Sequence, residues 1–78
     1  MPWKNDNNQL ERTFTFKDFK EALVFTNKVG EIAERLNHHP VITLTWGKVT
    51  IVTTTHDAGN KVTDKDIELT REIDKLVS

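Results

Sequence analysis

The amino-acid sequence predicts an α+β fold, a mainly antiparallel sheet with helices packed on one face, in the order strand, helix, strand, strand, helix. Three observations carry that expectation. Thr13-Phe14-Thr15-Phe16 alternates polar with aromatic, the two-residue period of a half-buried strand. From Phe19 to Leu36 apolar residues recur at steps of three and four, the period of an amphipathic helix. Two runs rich in Thr, Val and Ile then flank Trp46-Gly47-Lys48, where the glycine suits a hairpin turn.

Residues 4 to 9 are polar and Asn-rich, too poor in apolar surface to offset the entropy of ordering, and predict an irregular lead-in behind an anchoring Trp3. The first strand starts at Leu10 and ends near Lys17. Asp18 is an acceptable N-cap, with Glu21 placed to complete a capping box. In the helix that follows, Phe19, Ala22, Leu23, Thr26, Val29, Ala33 and Leu36 form one stripe, which Phe25 and Ile32 widen. Gly30 costs about 1 kcal/mol relative to Ala in a helix interior, and packing along the stripe is expected to override it. The helix ends near Leu36, because Asn37 suits the left-handed conformation and Pro40 biases His39 away from the helical region. Hairpin arms are expected at Val41 to Thr45 and Lys48 to Thr55, with His56 closing the second arm. After the loop Asp57-Ala58-Gly59-Asn60, Thr63 or Asp64 caps a final helix whose buried stripe is Ile67, Thr70, Ile73, Leu76 and Val77.

Seventy-eight residues suffice for a single compact domain over 1–78. A core of this size supplies only roughly 3 to 5 kcal/mol, and there is no cysteine to staple it, so a homodimer or homotetramer is expected. The lack of cysteine excludes disulfides, thiol catalysis and thiolate metal sites. No apolar run resembles a signal peptide or a bilayer span, which predicts a cytoplasmic protein without a membrane partner. Eleven basic and twelve acidic side chains give a net charge of −1 with the lysines scattered, which leaves nucleic acid without an electrostatic footprint. A small ligand or a protein partner remains.

All three histidines stand at element ends: His38 and His39 where the long helix stops, and His56 at the close of the hairpin. Imidazole ordinarily titrates near pH 6.5 and can give or take a proton around neutrality, the requirement for general acid-base catalysis. The C-terminal end of a helix favours a cation, which biases His38 toward the acid role. Asn37-His38-His39-Pro40 is equally a good helix stop, so spacing alone leaves a purely structural role open. Three imidazoles could hold an open zinc site, but adjacent side chains in extended backbone point apart, and no metal is expected. Glu34 lies four residues before His38 and could orient its ring or form a surface ion pair. Trp46 could stack on a flat ligand or pack in the core or an interface, and Asp57 could hold a ligand donor or start the turn.

The run Glu34-Arg35-Leu36-Asn37-His38-His39-Pro40, followed by Trp46, by Thr55-His56-Asp57 and by Asp66, resembles the signature of the pterin-4a-carbinolamine dehydratase family. Trp3 and the stretch from Leu10 to Phe19 are similar to that family's opening, so the resemblance covers nearly the whole chain. It departs at Ile42, where many members carry an aromatic, and in the loop Gly59-Asn60-Lys61-Val62. The resemblance implies dehydration of 4a-hydroxytetrahydrobiopterin to quinonoid dihydropterin without metal or organic cofactor. It implies catalytic roles for His38, His39 and His56, with His38 and His56 as the acid-base pair and His39 holding the pterin. Pro40, the backbone of Thr54 and Thr55, Asp57 and Ala58 would line the pocket, with Glu34 and Trp46 behind them. Some relatives act as dimerisation partners of a transcription factor, so a protein-binding module is the alternative.

Overall fold

The computed structural model describes residues 2–77, and the sheet it contains is fully antiparallel in the order β1-β2-β4-β3. The strands are β1 (Lys4–Asp6), β2 (Gln9–Thr15), β3 (Val41–Leu44) and β4 (Lys48–Thr53), and the helices are α1 (Phe19–Leu36) and α2 (Asp64–Asp74). A short 3-10 turn, His56–Ala58, follows β4.

The first departure from expectation is at the start of the chain, where the lead-in is a strand. Lys4 pairs with Glu11 and Asp6 with Gln9 across a two-residue turn. Asn7 and Asn8 both have positive φ (53° and 61°), as such a turn requires, and Asn tolerates that region better than most residues. The Asn-rich stretch is therefore turn chemistry. Trp3 is buried, as expected of an anchor, and its indole Nε1 donates to Asp74 Oδ1 at 2.8 Å, where Arg12 also donates at 2.7 Å.

Both helices pack on one face of the sheet. From β2 that face contributes Leu10 and Phe14, and from β4 Val49, Ile51 and Thr53, all buried at the two-residue period. Asp18 caps α1 by accepting from Glu21 N at 2.9 Å. Its buried side chains are Ala22, Phe25, Val29, Ile32 and Ala33, so Phe25 and Ile32 are central to the stripe, while Phe19 and Leu23 stand exposed at its margin. The Phe25 ring meets Phe14 at 4.7 Å and Phe16 at 5.0 Å between centroids. In α2 the buried residues are Asp66, Leu69, Thr70 and Ile73; Leu76 and Val77 lie beyond the helix end and are exposed, which corrects the expected stripe. The helix stops at Asp74, so a 3.6-residue period extended past it no longer describes a buried face.

At the end of α1, Asn37 takes the left-handed conformation (φ 52°, ψ 44°), and the N–H groups of Asn37 and His38 close on Glu34 O and Ala33 O. Strand β4 ends at Thr53, two residues short of the expected arm. Thr55 then bridges Lys61, and Gly59 (φ 79°) closes the turn that carries His56. Among the described residues no helix is long and apolar enough to cross a membrane.

Candidate active site

The turn at Asn37 swings His38 off the surface of α1 and under the end of β4. There His38 Nε2 lies 2.7 Å from Asp66 Oδ1, with the imidazole only 12% exposed and the carboxylate fully buried. Asp66 sits in the first turn of α2 because Thr63 caps that helix, and the Thr63 N–H donates to Asp66 Oδ2 at 2.9 Å, one half of a capping box. Strand β4 and its extension supply two more donors, Thr53 Oγ1 at 2.6 Å and Thr55 Oγ1 at 2.7 Å. Burial, the largest single influence, pushes the Asp66 carboxyl up. The hydrogen bonds from Thr53, His38, Thr55 and the Thr63 backbone together outweigh it and hold the group below the usual aspartate range. Thr55 gives its hydroxyl hydrogen to Asp66, so in its 2.7 Å contact with Thr63 Oγ1 it must accept.

His39 points the other way, into solvent. Its Nε2 is hydrogen-bonded to Glu34 Oε2, and both side chains are more than half exposed. Glu34 was expected beside His38, but the helical i, i+4 relation ends with the helix: once Asn37 turns left-handed, the carboxylate meets the next imidazole instead. His56, first residue of the 3-10 turn, bonds through Nδ1 to Asn60 Oδ1 at 2.7 Å.

These imidazoles converge on one hollow of about 200 Å³, lined by Asn37, His38, His39, Thr54, Thr55, His56, Asp57 and Lys65. The volume is below the roughly 300–1,000 Å³ of sites for drug-sized ligands and suits only a compact group. Ala58 lines an adjoining recess that shares Thr55, Asp57 and Lys65. Pro40 is half-buried and lines neither; it separates the histidines from β3. Trp46 is 74% exposed in the β3–β4 turn. The whole length of β4 separates it from the hollow, roughly 20 Å at about 3.3 Å per residue. Within one chain it is therefore no neighbour of the histidines, contrary to expectation. A roomier groove of about 650 Å³ lies between the start of α1 and Leu76-Val77, but no imidazole reaches it.

Thr53, Thr63 and Lys65 had no site role in the sequence, and Asp66 entered only as the acid that closes the family signature, with no partner or role named. Its bond to His38 spans 28 positions and leaves no local trace.

The family described as pterin 4 alpha carbinolamine dehydratase matches residues 1–76. A protein of Sulfurisphaera tokodaii, named provisionally as such a dehydratase, is 49% identical over 76 residues, covering 97% of this chain and 81% of its own. The chain belongs to the pterin-4-alpha-carbinolamine dehydratase family. Among solved structures, a Brucella melitensis protein titled transcriptional coactivator/pterin dehydratase superposes on this pterin-4-alpha-carbinolamine dehydratase family member with a TM-score of 0.90. That pair is 30% identical, covering 99% of this chain and 83% of the other. A pterin dehydratase-like protein described as a RuBisCO assembly factor of the alpha-carboxysome shares the fold, with a TM-score of 0.77 at 16% identity over 95% of this chain and 84% of its own.

Proposed function

We propose that this chain dehydrates a pterin-4a-carbinolamine such as 4a-hydroxytetrahydrobiopterin, releasing quinonoid dihydropterin and water. The observation that carries the reading is the convergence of three imidazoles, from the ends of two elements, on one small hollow. Each of them has one ring nitrogen bound to a protein group, a carboxylate for His38 and His39 and an amide for His56, which fixes ring orientation.

The reaction needs one proton delivered and one removed. An acid protonates the C4a hydroxyl as its C–O bond breaks and water departs. A base takes a ring N–H proton, whose electron pair becomes the new double bond. The two transfers balance, so the histidines return to their starting state after proton exchange with solvent. His38 and His56 are the acid-base pair in this reading, because they flank the hollow from the helix exit and from the turn after β4. His39 holds the pterin, and Thr54, Thr55, Asp57 and Ala58 frame it. No metal or organic cofactor takes part in the scheme.

Replacing His38 or His56 with Ala is expected to lower kcat for racemic carbinolamine by about a hundredfold or more, with the circular dichroism spectrum unchanged. Wild-type turnover in either variant would refute the assignment. The second reading, a protein-binding module that partners a transcription factor, draws on the coactivator half of the Brucella protein's title. Capture of one protein at equal stoichiometry by a chain without dehydratase activity would favour it.

A further inference from the structure

Hydrogen-bond donors from four residues meet on the Asp66 carboxylate. Oδ1 receives Thr53 Oγ1 at 2.6 Å and faces His38 Nε2 at 2.7 Å, while Oδ2 receives Thr55 Oγ1 at 2.7 Å and Thr63 N at 2.9 Å. The Thr63 N–H can only donate, so Oδ2 must accept. The carboxyl is held below its ordinary range, so both oxygens are acceptors at neutral pH, and the hydrogen shared with the imidazole belongs to Nε2. That leaves Nδ1. No hydrogen bond engages it among the described residues, and it is not an unpartnered nitrogen shut off from solvent, so Nδ1 is accessible, and the hollow is the cavity that the His38 ring lines.

We propose that Asp66 is a positioning residue that locks His38 in its Nε2–H form, making Nδ1 the atom through which His38 exchanges protons with the substrate. The substrate half of this inference rests on the dehydratase reading; the lock does not. His56 has no comparable lock. Its partner is the amide of Asn60 on an exposed turn, and an amide can present either oxygen or nitrogen to the ring.

The Asp66→Asn variant makes the lock testable, because the network allows the new amide only one orientation in which its oxygen meets donors and its NH₂ meets acceptors. The amide oxygen must face the Thr63 N–H, where it can also accept from Thr55. The NH₂ group then faces Thr53 Oγ1, a hydroxyl able to accept, and His38 Nε2, which must become the acceptor. The variant should therefore fold with the His38 tautomer reversed. Long-range proton–nitrogen NMR on the full chain, with the imidazole in its neutral form, reads the tautomer directly. Wild type is expected to show protonated Nε2 and bare Nδ1, and Asp66→Asn the opposite. With racemic pterin-4a-carbinolamine, kcat of the variant should fall about a hundredfold or more, as expected when a catalytic histidine is held in the wrong tautomer, while KM moves less than about threefold. An Nδ1–H form in wild type would overturn the lock, and the wild-type spectrum decides this even if the variant fails to fold. A reversed tautomer with undiminished kcat would overturn the assignment of Nδ1. Wild type in the Nε2–H form that turns over no carbinolamine would uphold the lock and refute the dehydratase reading.

Discussion

Asp66 carries a stability consequence that follows from its hydrogen bonds alone. Its folded-state titration lies below the ordinary aspartate value of 3.8, so as pH falls the unfolded chain takes up the proton first. Stability is then fully present above that ordinary value and is lost as pH drops through it toward the folded-state value. Glu72 is shifted the same way, chiefly by the hydrogen bond from Lys75, and its contribution is lost as pH falls through its own ordinary value of 4.5. The Asp66 share is thus the difference between wild type and Asp66→Asn. Urea unfolding between about pH 5 and pH 3 should show a steeper loss for wild type, and parallel curves would contradict the account. At this scale the sequence was informative about which residue types matter and silent about their partners. The placement of His38, His39 and His56 at element ends was legible because helix stops and turns leave a local pattern, whereas their reading as a site came from the resemblance. The Asp66 partner was not legible, because a bond across 28 positions is set by how α1 and α2 pack on the sheet.

Elements were legible where one physical cause dominates. The α1 boundaries followed from Asp18, Asn37 and Pro40, since caps and breakers act locally, and the β3–β4 hairpin followed from its β-branched arms. The reading failed where two causes compete. Asn7-Asn8 satisfies both a disordered composition and a two-residue turn, and pairing with β2 decides for the turn. In α2, Leu69 and Leu76 were both available to a helical period; the fold buries the first completely and leaves the second exposed beyond Asp74. Leu69→Ala should therefore cost about 2–5 kcal/mol by leaving a cavity in the core, whereas Leu76→Ala should stay within about 0.5 kcal/mol. Chemical denaturation of the two variants side by side tests the placement, and equal destabilisation would contradict it.

The whole molecule presents two unlike sheet edges. β1 is three residues long, Lys4-Asn5-Asp6, and carries charges of both signs, a common way to discourage further pairing. β3, Val41-Ile42-Thr43-Leu44, has no charge and no proline within it, and Val41 is 63% exposed. An uncharged edge of β-branched residues is a template for another strand, and a second copy of this chain offers the same edge, so pairing about a two-fold axis satisfies both. The small core gives the same expectation from energetics, since a domain of this size gains from burying further apolar surface. Sedimentation of wild type should therefore show a homodimer or larger, and Thr43→Lys should shift it toward monomer by placing like charges in close proximity across the new pair. A wild-type chain that sediments as a monomer at micromolar concentration would contradict the edge argument. β3 begins directly after His38-His39-Pro40, so the same experiment should report kcat for both forms. A turnover that falls with dissociation would make the strand that carries the interface also the support of the proton-transfer site.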